Sequence, residues 1–354
     1  MNVSSAPDPP DRDEPRPGRR ARRRLGTLLV VVSLAASGCG LRLETGPPDP
    51  LPAGEVELAR QSGAATADDL SAAARTAAQE APEQLRAVLL EVADAADQHL
   101  VALGGRYDPG PGYTIAPDGS VEAVPEAPDD AAAPTPTSAA PPVTSDDVVA
   151  RLVQGAASAR SHAVTVPDGA LARLLASIHV ARLLQAQALA AASGAEPLEE
   201  VVVTVPQVVP EGLSPATIAT LVQSEDATGM AWEVAAARAQ GETRDRAAAR
   251  AAQHRQRAQA WSDAAGFTGT GLDPRRSAYE LPEAIRSAAA EPGTAEGALA
   301  DLEQSLSAVY ATLVLEVVAE DRGPLVDVMA DTAREAVRHG ATVPVFPGLA
   351  EQQS

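Results

Sequence analysis

Three residues make the best case for chemistry in this chain. Glu225, His254 and Glu303 lie on three separate stretches of helical spacing, each on or beside an apolar stripe. Ile218, Leu221, Val222, Glu225, Gly229 and Trp232 share one face, which turns Glu225 inward. Ala247, Ala251, His254, Ala258 and Trp261 share another, which turns His254 inward. Glu303 borders the stripe Leu299, Leu302, Leu306, Val309 and Leu313. Two carboxylates and an imidazole converging inside a bundle could hold one iron or manganese ion, or a small ligand. The plainer reading, and the one favoured, is that Glu225 and His254 satisfy each other as a buried hydrogen-bonded pair, since unpaired polar groups are costly in an interior. A dinuclear centre in a four-helix bundle needs more, a Glu from each of two helices and a Glu-x-x-His from each of the other two. No Glu-x-x-His occurs in the sequence, and Ala251 stands where that Glu would precede His254. Glu335 and His339 are four apart on a further stretch and are expected to form an exposed pair at a helix C-terminus, where a cation is favoured.

Other chemistries fail on composition. The 28 basic residues are all Arg, so neither a phosphate-binding loop Lys nor a Schiff-base Lys is available. The single Cys excludes an intramolecular disulfide and a Cys-based zinc cluster. The five His are scattered and lack zinc spacing. A formal net charge of −20 speaks against nucleic acid as a partner. Gly269-Thr270-Gly271 runs into Leu272-Asp273-Pro274 rather than a phosphate-binding helix start. The Arg run from Arg244 to Arg257 reads as a solvated helix face that could dock an acidic partner.

The elements that must position Glu225, His254 and Glu303 come in two sets. Ala, Leu, Arg and Glu at helical spacing predict helices at about 55–79, 82–103, 145–162 and 167–192, then at about 215–240, 243–264, 296–320 and 323–340. Ser214-Pro215 and Gly323-Pro324 mark helix starts. Each set is a helix pair, a long connection and a second pair, the layout of a four-helix bundle with one long crossover. In the first set the connection is 108–143, Pro-rich and expected to be irregular. Residues 194–213, including the run Val201 to Val205, are expected to be an extended connector. The expected fold is all-α. The two sets could be tandem copies: Gln98-His99 answers Gln253-His254, and Gly169-Ala170-Leu171 answers Gly323-Pro324-Leu325, in the same order.

The N-terminus reads as an export signal. A cluster ending in Arg22, Arg23 and Arg24 precedes the apolar run Leu25 to Ala36, which is too short to span a bilayer and fits a signal peptide. Leu34-Ala35-Ala36-Ser37-Gly38-Cys39 resembles a bacterial lipobox, in which the Cys is lipidated and becomes the new N-terminus. The paired arginines leave both the general secretory and the twin-arginine routes open. The expected divisions are a signal peptide over 1–38 and a tether over 39–54. An N-terminal helical domain over 55–193, the connector over 194–213 and a second helical domain over 214–350 follow. Cys39 is the expected membrane anchor, on the extracytoplasmic face. Removing residues 1–38 removes seven Arg and four acids, leaving a body more acidic still, which anionic headgroups repel.

Residues 215–350 resemble an actinobacterial family of ferritin-like proteins of unknown function, often exported. The resemblance rests on Leu221-Val222-Gln223-Ser224-Glu225, Ala251-Ala252-Gln253-His254-Arg255, Ser277-Ala278-Tyr279-Glu280-Leu281-Pro282 and the tail Phe346-Pro347-Gly348-Leu349. It implies a ferritin-like four-helix bundle and no established reaction. The expected role is binding or structural, in the cell envelope, without a cofactor. The alternative is a metal-binding or oxidoreductase-type protein whose site of Glu225, His254 and Glu303 is degenerate and takes iron or manganese.

Overall fold

A computed structural model of the chain describes residues 53–352, apart from 111, 117–119, 125–141, 197, 199–202, 204–206 and 288–293. The export signal, the lipobox with Cys39, and most of the tether and of the Val201 to Val205 run therefore lie outside the described residues.

The described residues are mostly helical. The first set is α1 (Glu55–Glu80), α2 (Glu83–Ala102), α3 (Ser145–Ala163) and α4 (Gly169–Ser193). The second is α5 (Pro215–Arg238), α6 (Gly241–Ala264), a single turn α7 (Glu283–Arg286), α8 (Thr294–Glu316) and α9 (Arg322–Arg338). The boundaries follow local chemistry. Thr144 caps α3 through a reciprocal capping box with Asp147. Asp168 and Ser214 cap α4 and α5 through bonds to the backbone N–H three residues on, with Pro215 at the first position of α5. The connection expected to be irregular contains a short antiparallel hairpin, β1 (Tyr113–Ile115) with β2 (Val121–Ala123), pairing Tyr113 with Ala123. The Pro content of the segment masked that alternation.

Residues 50–354 form one compact unit. Each set packs alike: first helix on second, third on fourth, and first on third, so α1, α2, α3 and α4 are matched by α5, α6, α8 and α9. The sets meet through α4, which packs on α8 and α9, and one core cluster runs across both, from Leu175 and Ile178 to Tyr310, Leu325 and Met329. That position explains the hydropathy of α4. It is long and apolar enough to cross a membrane, yet most of it is buried among its neighbours, and a helix covered all round is apolar all round. A bidentate ion pair also joins the sets, from Arg160 Nε and Nη2 to Asp327 Oδ1 and Oδ2 at 2.8 Å each.

Two glycines lie at the contacts between sets. Gly169, opening α4, lies against α8, where a Cβ would sit 2.5 Å from the Leu315 carbonyl oxygen. Gly323, in the first turn of α9, lies against α3, where a Cβ would sit 3.6 Å from Arg160 Nη2. The tail joins the sets too: Ser177 on α4 donates to the Pro347 carbonyl at 2.8 Å, and Phe346 packs edge-on against His99 of α2.

Candidate functional site

Glu225, His254 and Glu303 meet in the interior of the second set. All three are fully buried. Gly229, one turn after Glu225, lies where an added Cβ would sit 3.3 Å from the Cβ of His254, so α5 and α6 approach closely there. His254 Nδ1 lies 2.6 Å from Glu225 Oε2, and its Nε2 lies 2.9 Å from Glu303 Oε1. A carboxylate oxygen can only accept, so each ring nitrogen donates and the imidazole is a cation. Burial works against that charge, but Glu303 and then Glu225 outweigh it and raise the His254 pKa.

The network continues on both sides. Glu303 Oε1 also accepts from Arg250 Nε at 2.8 Å and from Trp232 Nε1 at 2.9 Å, and its Oε2 accepts from Arg250 Nη2 at 2.6 Å. Burial opposes the Glu303 charge, yet His254 and Arg250 hold its pKa well below the carboxylate range. Glu225 Oε1 accepts from Tyr310 Oη at 2.5 Å, and Tyr310 Oη in turn accepts from Trp261 Nε1 at 3.2 Å. Burial and the Glu225 charge push the Tyr310 phenol well above its usual range, so it remains a donor. Arg250 Nη1 reaches Asp331 Oδ2 at 2.6 Å, and Arg257 Nη2 reaches the same oxygen. Three carboxylates (Glu225, Glu303, Asp331) thus face three cations (His254, Arg250, Arg257).

These residues do not fit a metal centre. Both His254 nitrogens are directed at carboxylates, so a cation would have to displace a proton and break one of these hydrogen bonds. Both Glu303 oxygens are occupied by the fork of Arg250, which supplies in covalent form the positive charge an ion would bring. Among the described residues no group of three or more His, Cys, Asp or Glu is arranged to hold a metal ion. The chemistry open to this arrangement is charge neutralisation and positioning.

The sequence grouped Glu225, His254 and Glu303 as a candidate site and favoured a Glu225–His254 pair, and the structure brings all three into one hydrogen-bonded network. It corrects other expectations. The α8 seam runs Leu299, Glu303, Leu306, Tyr310 and Leu313, all buried, while Leu302 and Val309 are only partly so. Glu303 is therefore central to the stripe rather than beside it. The Arg run on α6 is not a wholly solvated face, because Arg250 and Arg257 are buried. They stand four before and three after His254, so the spacing that placed His254 inward also placed them inward. Glu335 and His339 pair at 3.2 Å but are largely covered, and His339 packs edge-on against Trp232 at 4.8 Å. Tyr279, in the crossover, donates to Asp226 Oδ2 at 2.7 Å and ties that segment to α5 beside Glu225.

His99, on α2 of the first set, behaves in the opposite way. His99 Nε2 donates to the Val345 carbonyl at 2.8 Å. Burial, aided by the nearby Arg182 charge, pushes its pKa down to about 3. His99 is a neutral core residue; His254 is a buried cation.

Residues 216–351 match the model of a family described as a domain of unknown function (DUF4439). The match takes in α5 to α9 and every member of the buried network. No curated protein and no solved structure matches the chain.

Proposed function

We propose that the chain is an exported lipoprotein, anchored through Cys39 on the extracytoplasmic face of the membrane. Its second helical set is a ferritin-like bundle, as in the actinobacterial family it resembles, and serves a binding or structural role in the cell envelope without catalytic metal. The observation that supports the non-catalytic role is the bidentate Arg250 fork on Glu303, in a bundle interior where a metalloprotein would keep open carboxylates. The neighbouring imidazolium, with two carboxylate partners, supports it further.

Metal analysis of the purified protein tests the role. The expected result is no stoichiometric iron or manganese in the wild type. Stoichiometric metal that disappears in Glu225→Ala and His254→Ala would overturn it in favour of the metal-binding alternative. Membrane fractionation tests the anchor. Cys39→Ser is expected to release the protein from membranes or to block its processing, and unchanged membrane retention with normal processing would remove the lipoprotein claim.

A further inference from the structure

Beside the buried network, α5, α6, α8, α9 and the turn α7 enclose a cavity of about 940 Å³ that opens to solvent. Small-molecule sites typically occupy about 300–1,000 Å³ and combine apolar walls with a few placed polar groups. This cavity has both. Trp232, Ala247, Ile285 and Leu299 line one part of it, all of them core residues. The Trp232 indole N–H is held by Glu303, which fixes the ring in place. The polar lining belongs mainly to α6 and α9.

The charge of the lining runs against that of the chain. The whole sequence carries 28 basic against 48 acidic residues. The cavity is lined by four arginines (Arg238, Arg246, Arg250 and Arg338) against three carboxylates (Glu296, Asp331 and Glu335). Asp331 is shared by Arg250 and Arg257, and Glu335 is bound by Arg338 and His339. Arg238 is different. Its guanidinium is anchored on the backbone carbonyls of Ile285, Arg286 and Ser287, neutral acceptors that hold the group but leave its charge. Arg246 stands at the mouth, its side chain 71% exposed and 3.6 Å from Glu242. It lies one turn from Arg250 on the same helix face.

We propose that this cavity binds an amphipathic organic anion. The apolar body packs against Trp232, Ile285 and Leu299, and the acidic group, a carboxylate, sulfonate or phosphate, meets Arg246 and Arg238. The proposal deepens the binding role above and rests on it. The ligand could be an aromatic acid or an aliphatic one such as a fatty acid, which share this chemistry.

Titration of the full chain with anilinonaphthalene sulfonate, an aromatic anion that fluoresces in apolar surroundings, tests it. The expected result is one saturable site per chain. The same ring system without its sulfonate should bind about tenfold or more weakly, as should the sulfonate to Arg246→Glu, since a lost ion pair of ordinary strength is worth about that factor. Arg246 is exposed, so that variant is expected to fold. Leu299→Trp fills the apolar part and should abolish the site. Sodium dodecanoate added to the complex sorts the body: displacement of the probe assigns an aliphatic ligand and retention an aromatic one. Equal binding of the charged and neutral probes, or binding unchanged in both Arg246→Glu and a folded Leu299→Trp, would overturn the proposal. Bound metal together with intact probe binding would sink the non-catalytic role and leave the cavity standing. Absence of both metal and probe binding would sink the cavity alone.

Discussion

Replacing His254 with Leu keeps most of the side-chain volume and removes the group that bridges Glu225 to Glu303. Glu303 keeps Arg250 and Trp232, whereas Glu225 keeps Tyr310 and the more distant charge of Arg257 but loses its hydrogen-bonded cation. Removing one member of a buried charge pair typically costs about 3–5 kcal/mol, most of it the penalty on the partner left behind. The loss in His254→Leu should therefore fall in that range, read as a lower urea midpoint at unchanged slope. Adding Glu225→Gln should restore part of it, because the stranded charge is gone. The pH dependence has a definite sign. The His254 pKa is raised above its ordinary 6.5, so its contribution is complete below 6.5 and is lost as pH rises through the raised value. Glu303 is lowered from 4.5, so its contribution is complete above 4.5 and is lost as pH falls. The gap between wild type and variant should be widest from about pH 4.5 to 6.5. A loss below about 1 kcal/mol in that window, or one that grows with rising pH, would show that His254 is not the buried cation described here.

Four further outcomes follow from the same structure. Tyr310→Phe deletes a donor to Glu225 and the acceptor of the Trp261 N–H, and should lower unfolding free energy by about 1–3 kcal/mol in urea melts. Gly169→Ala drives a Cβ to 2.5 Å from the Leu315 carbonyl; overpacking against backbone should cost about 1–3 kcal/mol, and a neutral thermal melt would refute the close approach of α4 to α8. Thr144→Ala removes the capping box of α3 and should cost about 1 kcal/mol, visible as faster hydrogen exchange in its first turn. Burial holds His99 down at about 3 and His179 at about 4. Their contribution is complete above the ordinary 6.5 and is lost as pH falls through those values, so His99→Gln should flatten the decline in urea midpoint between neutral pH and pH 5.

Apolar spacing and helix-start chemistry made most of this fold legible. Ser214-Pro215 announced α5, and the stripes that carry Glu225 and His254 set both side chains inward. What escaped was polar membership of the core. Arg250 and Arg257 sit among exposed arginines on α6, and composition alone gives no reason to separate them. Helical spacing from His254 does, but only if a buried cation is allowed, and that allowance depends on Glu303 and Asp331 standing on helices far away in sequence. Tyr310 was hidden in the same way. The expected α8 seam included Leu302 and Val309, whereas the real one alternates Leu299, Leu306 and Leu313 with Glu303 and Tyr310. The hairpin in the Pro-rich connection was lost because its strands are three residues each, too short for alternation to rise above the turn residues around them.

The two sets show why residue type alone could not settle the chemistry. His99 lies in the last turn of α2 and His254 in the middle of α6, both imidazoles are buried, and desolvation pushes both toward neutrality. His99 meets one carbonyl, the smallest of the influences on it, and the positive Arg182 adds to the push. His254 meets two carboxylates, one of them fixed by Arg250, and the push is reversed. The charge state of each histidine is thus decided by what the neighbouring helices of its own set present to it. For the second set the consequence is structural as well as electrostatic: a cation clamped between Glu225 on α5 and Glu303 on α8 links α6 to both. The interior that a metal would need is closed by the contacts that hold the bundle together.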